Sequence, residues 1–201
     1  MHINDVIKGL YAGIVIGLGG HAYLMAPDKV IGAFLFSIGL MSVVVFQLSL
    51  CTGKMCFKQS YNSKTYIPLV LLFNIIGAGI LGVMDRLSKP LSTAANATVN
   101  MKLEMSNTQV LVDSIICTLF IGIAVKGYKK ADGFGKPLMI VMGVMGFILS
   151  GAQHIIANVY YFVVASGCKE YTKEVIFLLI NLLGNYIGGI VTWWIDQELE
   201  T

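Results

Sequence analysis

The sequence predicts an all-α membrane protein whose six transmembrane helices form two inverted three-helix repeats in a single domain, residues 1–201. The first observation is composition, since 56% of the residues are hydrophobic, 12% are charged and the mean hydropathy is +0.77. About a quarter of the residues in a soluble domain are charged, so no separate soluble domain is expected. The other two observations are six apolar runs and a short motif shared by the third and sixth runs.

The first three runs lie in the N-terminal half of the chain. The run at residues 9–27 contains five glycines, which allow close helix packing in a membrane. The second run covers residues 30–50 and continues to residue 57, but polar residues and Gly53 interrupt it, which predicts a broken helix. The third run covers residues 66–84.

Thr52 stands at the interruption of the second run. A hydroxyl group beside backbone N–H groups that a helix break leaves free can hold a small anion or a polar solute. The alternative is an ordinary helix end with Gly53 as its cap.

The other three runs follow a polar stretch at residues 85–107. The fourth run covers residues 110–125, and a basic loop at residues 126–136 leads into the fifth. The fifth run, residues 137–167, contains no Asp, Glu, Lys or Arg, and the sixth covers residues 175–195. A bilayer crossing requires about 20 apolar residues, so each of these runs is a candidate span.

The centre of the fifth run is polar in spite of its surroundings. Its polar and small residues are Ser150, Gly151, Gln153, His154 and Asn158. A histidine at mid-membrane depth is costly unless it faces protein or water, so His154 is a candidate functional residue. One alternative is a structural histidine bonded to a neighbouring helix. Haem ligation with His21 is a weaker alternative, because His21 lies near a membrane edge.

The third and sixth runs share a motif, Asn74-Ile75-Ile76-Gly77 against Asn185-Tyr186-Ile187-Gly188. Because three helices precede the second copy of the unit, the two copies are predicted to cross the membrane in opposite orientations. Inverted repeats with broken helices are typical of transporters and channels. The alternative is that N-x-x-G is only a helix-packing pattern.

Several classes of protein are excluded by what the sequence lacks. It has no nucleophile–base pair, phosphate loop or metal-ligand cluster, so neither an enzyme nor a cofactor is expected. A net charge of +3 is too small to predict nucleic-acid binding. The cysteines contain no CxxC pair, which argues against zinc and disulfides; they are Cys51, Cys56, Cys117 and Cys168.

The distribution of basic residues predicts the orientation. Six spans place both termini on one side, where the loops hold eight lysines, against six lysines and arginines on the other side. The positive-inside rule then predicts cytoplasmic termini in a multi-pass protein of the inner (plasma) membrane.

Four segments resemble the formate/nitrite transporter family, and with the order of the six spans the resemblance extends over nearly the whole chain. The segments are Leu50-Cys51-Thr52-Gly53-Lys54, Asn74-Ile75-Ile76-Gly77-Ala78, Ser150 to Asn158 and Gly184-Asn185-Tyr186-Ile187-Gly188-Gly189. The resemblance implies a homopentamer of six-helix protomers, each with an aquaporin-like fold and its own pore.

The resemblance also implies roles for individual residues. His154 corresponds to the histidine of the family motif S-G-x-E-H-x-x-A-N, and Thr52 to the threonine of the broken second helix. Two apolar constrictions are implied, with Phe36 and Leu40 on one side and Phe147 on the other.

Further pore residues follow from the same alignment. Lys102, which by residue type alone is a loop lysine, matches a lysine that makes the vestibule electropositive. Thr118 takes the place of an asparagine in the fourth span, and Asn158 closes the fifth-span motif. The acid before the histidine is Gln153 here. The changes at Gln153 and Thr118 alter the polarity near the pore.

These residues support the hypothesis of a channel or transporter for a small monovalent weak-acid anion such as formate or nitrite. A bare anion pays a large desolvation cost at an apolar constriction, which the neutral conjugate acid avoids. Lys102 would gather anions, and His154 would supply or orient a proton. Hydrosulfide is the alternative substrate, and a neutral-solute channel for water or ammonia is a further alternative.

Overall fold

The computed structural model describes residues 3–64, 66–165 and 170–200, and these residues are all-helical apart from short connections. The helices are α1 Ile3–Met25, α2 Lys29–Val45, α3 Cys51–Met55, α4 Tyr66–Asp85, α5 Lys89–Leu103, α6 Asn107–Lys130, α7 Gly135–Leu149, α8 Ile155–Val164 and α9 Tyr171–Glu200, with a 3₁₀ turn at Lys58–Tyr61. Cys168 lies outside the described residues, whereas Cys51, Cys56 and Cys117 are free thiols.

Four of the described helices are long and apolar enough to cross a membrane, namely α1, α4, α6 and α9. They correspond to the first, third, fourth and sixth apolar runs. The second and fifth runs instead form pairs of shorter helices, α2 with α3 and α7 with α8. Large apolar side chains such as Phe34, Ile80 and Leu179 are exposed on the outside of the bundle, as expected for a surface that contacts lipid or other subunits.

The two interruptions have the same backbone pattern. Residues 46–50 separate α2 from α3, and residues 150–154 separate α7 from α8. The second residue of each interruption has a positive φ, 51° at Gln47 and 79° at Gly151. Glycine adopts this conformation freely, whereas glutamine does so at a cost. The alternative interpretation, an ordinary helix end with Gly53 as its cap, was wrong, because Gly53 lies inside α3.

Asn74 on α4 closes the first interruption. Its Oδ1 accepts a hydrogen bond from the backbone N–H of Cys51, the first residue of α3, at 2.8 Å. Its Nδ2 donates to the carbonyl oxygens of Ser49 and Gly9, each at 2.8 Å. The buried amide therefore satisfies backbone groups that the broken helix cannot pair internally.

Asn185 on α9 closes the second interruption in the same way. Its Oδ1 accepts from the N–H of Ile155, the first residue of α8, at 2.9 Å. Its Nδ2 donates to the carbonyl oxygens of Gln153 at 2.9 Å and Ser114 at 2.8 Å. Each asparagine thus accepts a hydrogen bond from the N–H of the first residue of a short helix, α3 or α8. It donates to the carbonyl oxygen two residues before that position and to a carbonyl oxygen of a long helix, α1 for Asn74 and α6 for Asn185.

The glycine of each motif has a different task. Gly77 lies against the carbonyl oxygen of Leu10 on α1, and Gly188 lies against that of Ile115 on α6. A Cβ atom at either position would collide with that carbonyl, so only glycine permits the close approach of the two helices. The N-x-x-G motif therefore combines closure of a break with tight helix packing.

The polar stretch at residues 85–107 contains a helix, α5, which the hydropathy pattern did not predict. Its buried residues include Leu91, Ala95 and Val99, at the four-residue spacing of one helix face. Lys102 follows on the same side of the last turn. Lys102 is therefore held by a helix and is not a loop lysine.

Candidate functional site

Two cavities open at opposite ends of α6, a helix that is about 36 Å long at 1.5 Å per residue. The narrow cavity, about 280 Å³, lies at the N-terminal end of α6, and its lining includes Tyr23, Lys102, Phe147, Gln153, His154 and Tyr161. The wide cavity, about 880 Å³, lies at the C-terminal end of α6, and its lining includes Leu40, Leu50, Lys54, Lys126, Lys129 and Asp196. The predicted pore residues lie in and between these two cavities.

His154 and Thr52 meet where the two interruptions face each other. His154 Nε2 lies 2.9 Å from Thr52 Oγ1, and both residues are buried. His154 is also the N-cap of α8, because its Nδ1 accepts a hydrogen bond from the N–H of Ala157 at 3.2 Å. A neutral imidazole that accepts at Nδ1 has its proton on Nε2, so His154 donates to the Thr52 hydroxyl.

Phe36 and Phe147 form one aromatic contact. Their ring centres are 5.8 Å apart in an edge-to-face arrangement, and the Phe147 ring stacks on His154 at 6.0 Å. The prediction that Phe36 and Phe147 lie on different sides was therefore wrong. Leu40 faces the wide cavity together with Leu50. It lies on the same face of α2 as Phe36 but about one turn, or about 6 Å, farther along the helix.

Gln153 links the narrow cavity to α5. Its Oε1 accepts from Lys102 Nζ at 2.6 Å and from Asn158 Nδ2 at 3.1 Å. Its Nε2 donates to the carbonyl of Gly151 at 2.6 Å. Since a glutamine is neutral, it positions the Lys102 ammonium without cancelling its charge.

Burial lowers the pKa of Lys102 to about 8, because desolvation disfavours the charged ammonium. The side chain is therefore mostly protonated at neutral pH and loses its charge as the pH rises through about 8. The other charged residues that line the narrow cavity, among the described residues, are Lys29 and Asp113.

Asn158 belongs to a buried network around Gln153. Besides Gln153, Asn158 Nδ2 donates to Asn181 Oδ1 at 2.8 Å. Asn181 Nδ2 in turn donates to Ser114 Oγ at 2.8 Å and to the Gln153 carbonyl at 2.7 Å. Asn181 was missed by the sequence analysis, although its spacing of four residues from Asn185 places both amides on one face of α9.

Thr118 is fully buried on α6, and neither cavity includes it in its lining. Its Oγ1 has no hydrogen-bond partner among the described residues. Its carbonyl oxygen lies 4.0 Å from the Sγ atom of Cys56. Among the described residues, the Thr118 hydroxyl is therefore not hydrogen-bonded to His154 or Lys102.

The wide cavity is strongly basic, which the sequence analysis did not predict. It is lined by five lysines, Lys54, Lys58, Lys126, Lys129 and Lys130, and Asp196 is the acidic residue in the described lining. Asp196 pairs with Lys126 at 2.8 Å and approaches Lys130 at 3.7 Å. The lysines come from separate segments of the sequence, so only the fold brings them together.

The family model for formate/nitrite transporters matches residues 3–195. The chain belongs to the formate/nitrite transporter family. Members of the family are membrane channels and transporters, so this multi-pass membrane protein is a transport protein and not an enzyme. A role as a haem-binding membrane anchor does not fit the family.

Three relatives are between 24% and 29% identical to this chain over the residues that align. An "Uncharacterized transporter YrhG" of Bacillus subtilis is 29% identical over 82% of this chain and 68% of its own length. The "Formate channel BtFdhC" of Bacillus thuringiensis is 28% identical over 93% of this chain and 86% of its own length. A "Formate-nitrite transporter" of Plasmodium falciparum is 24% identical over 94% and 75%.

Solved structures of family members have the same fold. An "FNT family ion channel" superposes with a TM-score of 0.83 at 20% identity, over 98% of this chain and 88% of that chain. A "Pentameric formate channel with formate bound" superposes with a TM-score of 0.80 at 21% identity, over 98% and 94%. The all-helical formate/nitrite transporter fold predicted from the sequence is confirmed.

Proposed function

We propose that this chain conducts small monovalent weak-acid anions, with formate or nitrite as substrate, through a pore within each protomer. The observation that best supports this is the buried His154–Thr52 pair in the same site as a Lys102 ammonium that is hydrogen-bonded to the neutral Gln153. A cationic entrance next to a proton-bearing group is suited to a solute that arrives charged and crosses neutral. Formate channels among the relatives support the choice of substrate.

The pore runs between two inverted three-helix repeats, each with an interrupted middle span. The matched hydrogen bonds of Asn74 and Asn185, and the positive φ at the second residue of each interruption, support this arrangement. In such a fold the interruptions meet near the middle of the membrane. The two cavities then become the two vestibules of the pore.

The protein acts as a homopentamer in the inner (plasma) membrane with cytoplasmic termini. The solved pentameric formate channel of the same fold supports the oligomer. The exposed apolar side chains provide surface for lipid and neighbouring subunits. The basic wide cavity lies at the end of the molecule that holds both termini, in agreement with the positive-inside rule.

Anions are attracted at both ends of the pore. Lys102 serves the narrow cavity, and the five-lysine cluster serves the wide cavity. A cleft lined by charges of one sign raises the local concentration of ions of the other sign. A neutral-solute channel gains nothing from such charges, so they favour the anion over water or ammonia.

Desolvation makes proton transfer necessary between the vestibules. Phe36 and Phe147 form one apolar constriction, and Leu40 with Leu50 forms the other. A bare anion loses its water there without replacement. His154 donates through Nε2 to Thr52, whose own hydroxyl hydrogen can turn toward the solute, so the pair can orient or deliver a proton.

Thr118 and Asn158 complete the proposed pathway. The Thr118 hydroxyl lacks a partner among the described residues, as expected for a group that hydrogen-bonds the moving solute. Asn158 positions Gln153 and lines the narrow cavity. Hydrosulfide, which is also a monovalent weak-acid anion, remains the second candidate because Gln153 and Thr118 depart from the family pattern.

Replacement of Lys102 by arginine is expected to remove part of the pH dependence of anion flux. Lys102 loses its charge as the pH rises through about 8, whereas arginine stays protonated. The ratio of wild-type to Lys102→Arg flux should be constant from pH 6.5 to about 7 and fall several-fold by about pH 9. Formate efflux from proteoliposomes measures this ratio, and a ratio independent of pH would contradict the role of Lys102.

The proposed substrate is tested by a flux panel in proteoliposomes. Formate, nitrite, acetate and hydrosulfide are compared at an acidic and a neutral pH, with empty liposomes as control. Formate and nitrite should move fastest, and every flux should increase at the acidic pH. Equal rates for all four solutes would rule out the proposal, and a preference for hydrosulfide would establish the second candidate.

A further inference from the structure

Tyr161 lines the narrow cavity on α8, two turns beyond His154. The side chain is 4% exposed, and its hydroxyl oxygen has no hydrogen-bond partner among the described residues. Its neighbour Tyr160, by contrast, donates to Asp85 Oδ2 at 2.6 Å. A buried hydroxyl without a partner is costly, and such a group beside a cavity suggests that a solute satisfies it.

Lys102 faces the same tyrosine. Its Nζ lies 5.7 Å from the centre of the Tyr161 ring, within the range of a cation–π contact, and 2.6 Å from Gln153 Oε1. An ammonium group has three donors, so hydrogens remain for a ligand after the bond to Gln153. Both residues line the narrow cavity, so the ammonium and the tyrosine ring lie at one site.

We propose that Lys102 and Tyr161 form a binding subsite for a monovalent anion with two acceptor atoms, one oxygen taken by the ammonium and the other by the phenol. The inference rests on the proposed function and specifies its substrate class as a small carboxylate or nitrite. The subsite lies on the narrow-cavity side of the Phe36–Phe147 contact, since Lys102, Tyr161 and Phe147 line that cavity and Phe36 is not part of its lining. His154 lines the same cavity, so an anion held by Lys102 and Tyr161 shares a cavity with the imidazole.

The geometry discriminates between the two candidate substrates. A carboxylate or nitrite ion has two oxygen acceptors that can reach two donors at once, and bonds to a charged acceptor are stronger than neutral ones. Hydrosulfide has one sulfur atom, which is a weaker acceptor. Only the two-oxygen ions benefit from the phenol as well as from the ammonium.

Tyr161→Phe tests the subsite, because it removes the hydroxyl and keeps the ring that contacts Lys102. Formate flux in proteoliposomes should show a half-saturation concentration raised by about 3- to 10-fold, with the maximal flux nearly unchanged. Hydrosulfide flux should not change. Tyr160→Phe is the matched control, since it also removes a tyrosine hydroxyl from α8. That hydroxyl donates to Asp85, and Tyr160 is not part of the lining of the narrow cavity.

Formate binding to the purified protein provides a second readout, measured by saturation transfer to the formate proton. Weaker binding in Tyr161→Phe, with normal binding in Tyr160→Phe, supports the subsite even if flux is slow. Unchanged formate binding and flux in Tyr161→Phe, or an equal loss for formate and hydrosulfide, would overturn it. If wild-type protein binds formate through Tyr161 but does not conduct it, the proposed function fails and the subsite stands. If wild-type protein does not bind formate, the subsite is refuted.

Discussion

Replacement of His154 by asparagine is expected to lower formate flux by roughly 10- to 100-fold while the protein remains folded. In the wild-type protein the N–H of Ala157 donates to His154 Nδ1. Asparagine is a good N-cap residue, so its side chain can accept this hydrogen bond in place of the imidazole. Asparagine cannot exchange a proton near neutral pH, and positioned proton transfer contributes factors of about 10²–10⁴ to reactions in proteins. The expected loss of flux is smaller than this range because water can take over part of the proton transfer.

The measurement is formate flux in proteoliposomes that contain equal amounts of folded protein. Thr52→Ser is the matched control, because it retains the hydroxyl that His154 Nε2 contacts at 2.9 Å, and its flux should remain close to the wild-type value. Normal flux in His154→Asn would show that the imidazole neither delivers nor orients a proton. A similar loss in both variants would indicate that packing at the interruption, and not protonation, limits the flux.

Replacement of Asn185 by alanine is expected to destabilise the protein by about 3 kcal/mol. The Ile155 N–H and the Ser114 carbonyl both lose their bond to the amide, and the N–H at the start of α8 is buried. The Gln153 carbonyl also accepts a hydrogen bond from Asn181, so losing the bond from Asn185 costs less free energy at this group than at the other two. The start of α8 should loosen, which also displaces His154.

The free energy of unfolding is measured by denaturant titration in detergent micelles. Asn100→Ala is the matched control, since Asn100 is an exposed residue of α5, and exposed substitutions usually change stability by less than about 0.5 kcal/mol. Asn74→Ala should resemble Asn185→Ala, because Asn74 bonds Cys51, Ser49 and Gly9 in the corresponding way. If Asn185→Ala is as stable as Asn100→Ala, the amide does not stabilise the interruption.

The apolar runs were predictable because the bilayer sets both the length and the composition of a span. Four of them are long helices, and the other two contain interruptions at residues 46–50 and 150–154. Polar residues in an apolar run are expensive, so they indicate where a helix is interrupted or where it faces a cavity. His154 and Thr52 were found from that signal together with the resemblance to a family.

Helix α5 was not predictable from hydropathy, because it lies outside the long apolar runs. Its buried face uses small and medium side chains, such as Leu91, Ala95 and Val99, and these give a weak signal within a polar segment. Lys102 could therefore be matched to a vestibule lysine by alignment only. Its contact with Gln153 depends on how α5 packs on α8.

The grouping of the constrictions failed for a similar reason. Phe36 and Leu40 are one helical turn apart on α2, and the resemblance to the family implied that they share one constriction. Phe147 instead packs against Phe36, whereas Leu40 faces the wide cavity. Which residue of a helix meets a side chain from another helix depends on the crossing angle and on the position of the interruption.

By itself, the sequence determined that this protein is an all-helical membrane protein with polar interruptions in its second and fifth apolar runs. Polar groups are costly in a bilayer, so membrane spans and their interruptions are visible in the local composition of the sequence. Its motifs also indicated the formate/nitrite transporter family. Only the tertiary structure decided that His154 bonds Thr52, that Gln153 holds Lys102 beside Tyr161, and that five lysines share one cavity. These contacts join segments far apart in the chain, and their geometry depends on helix packing, which local composition does not specify.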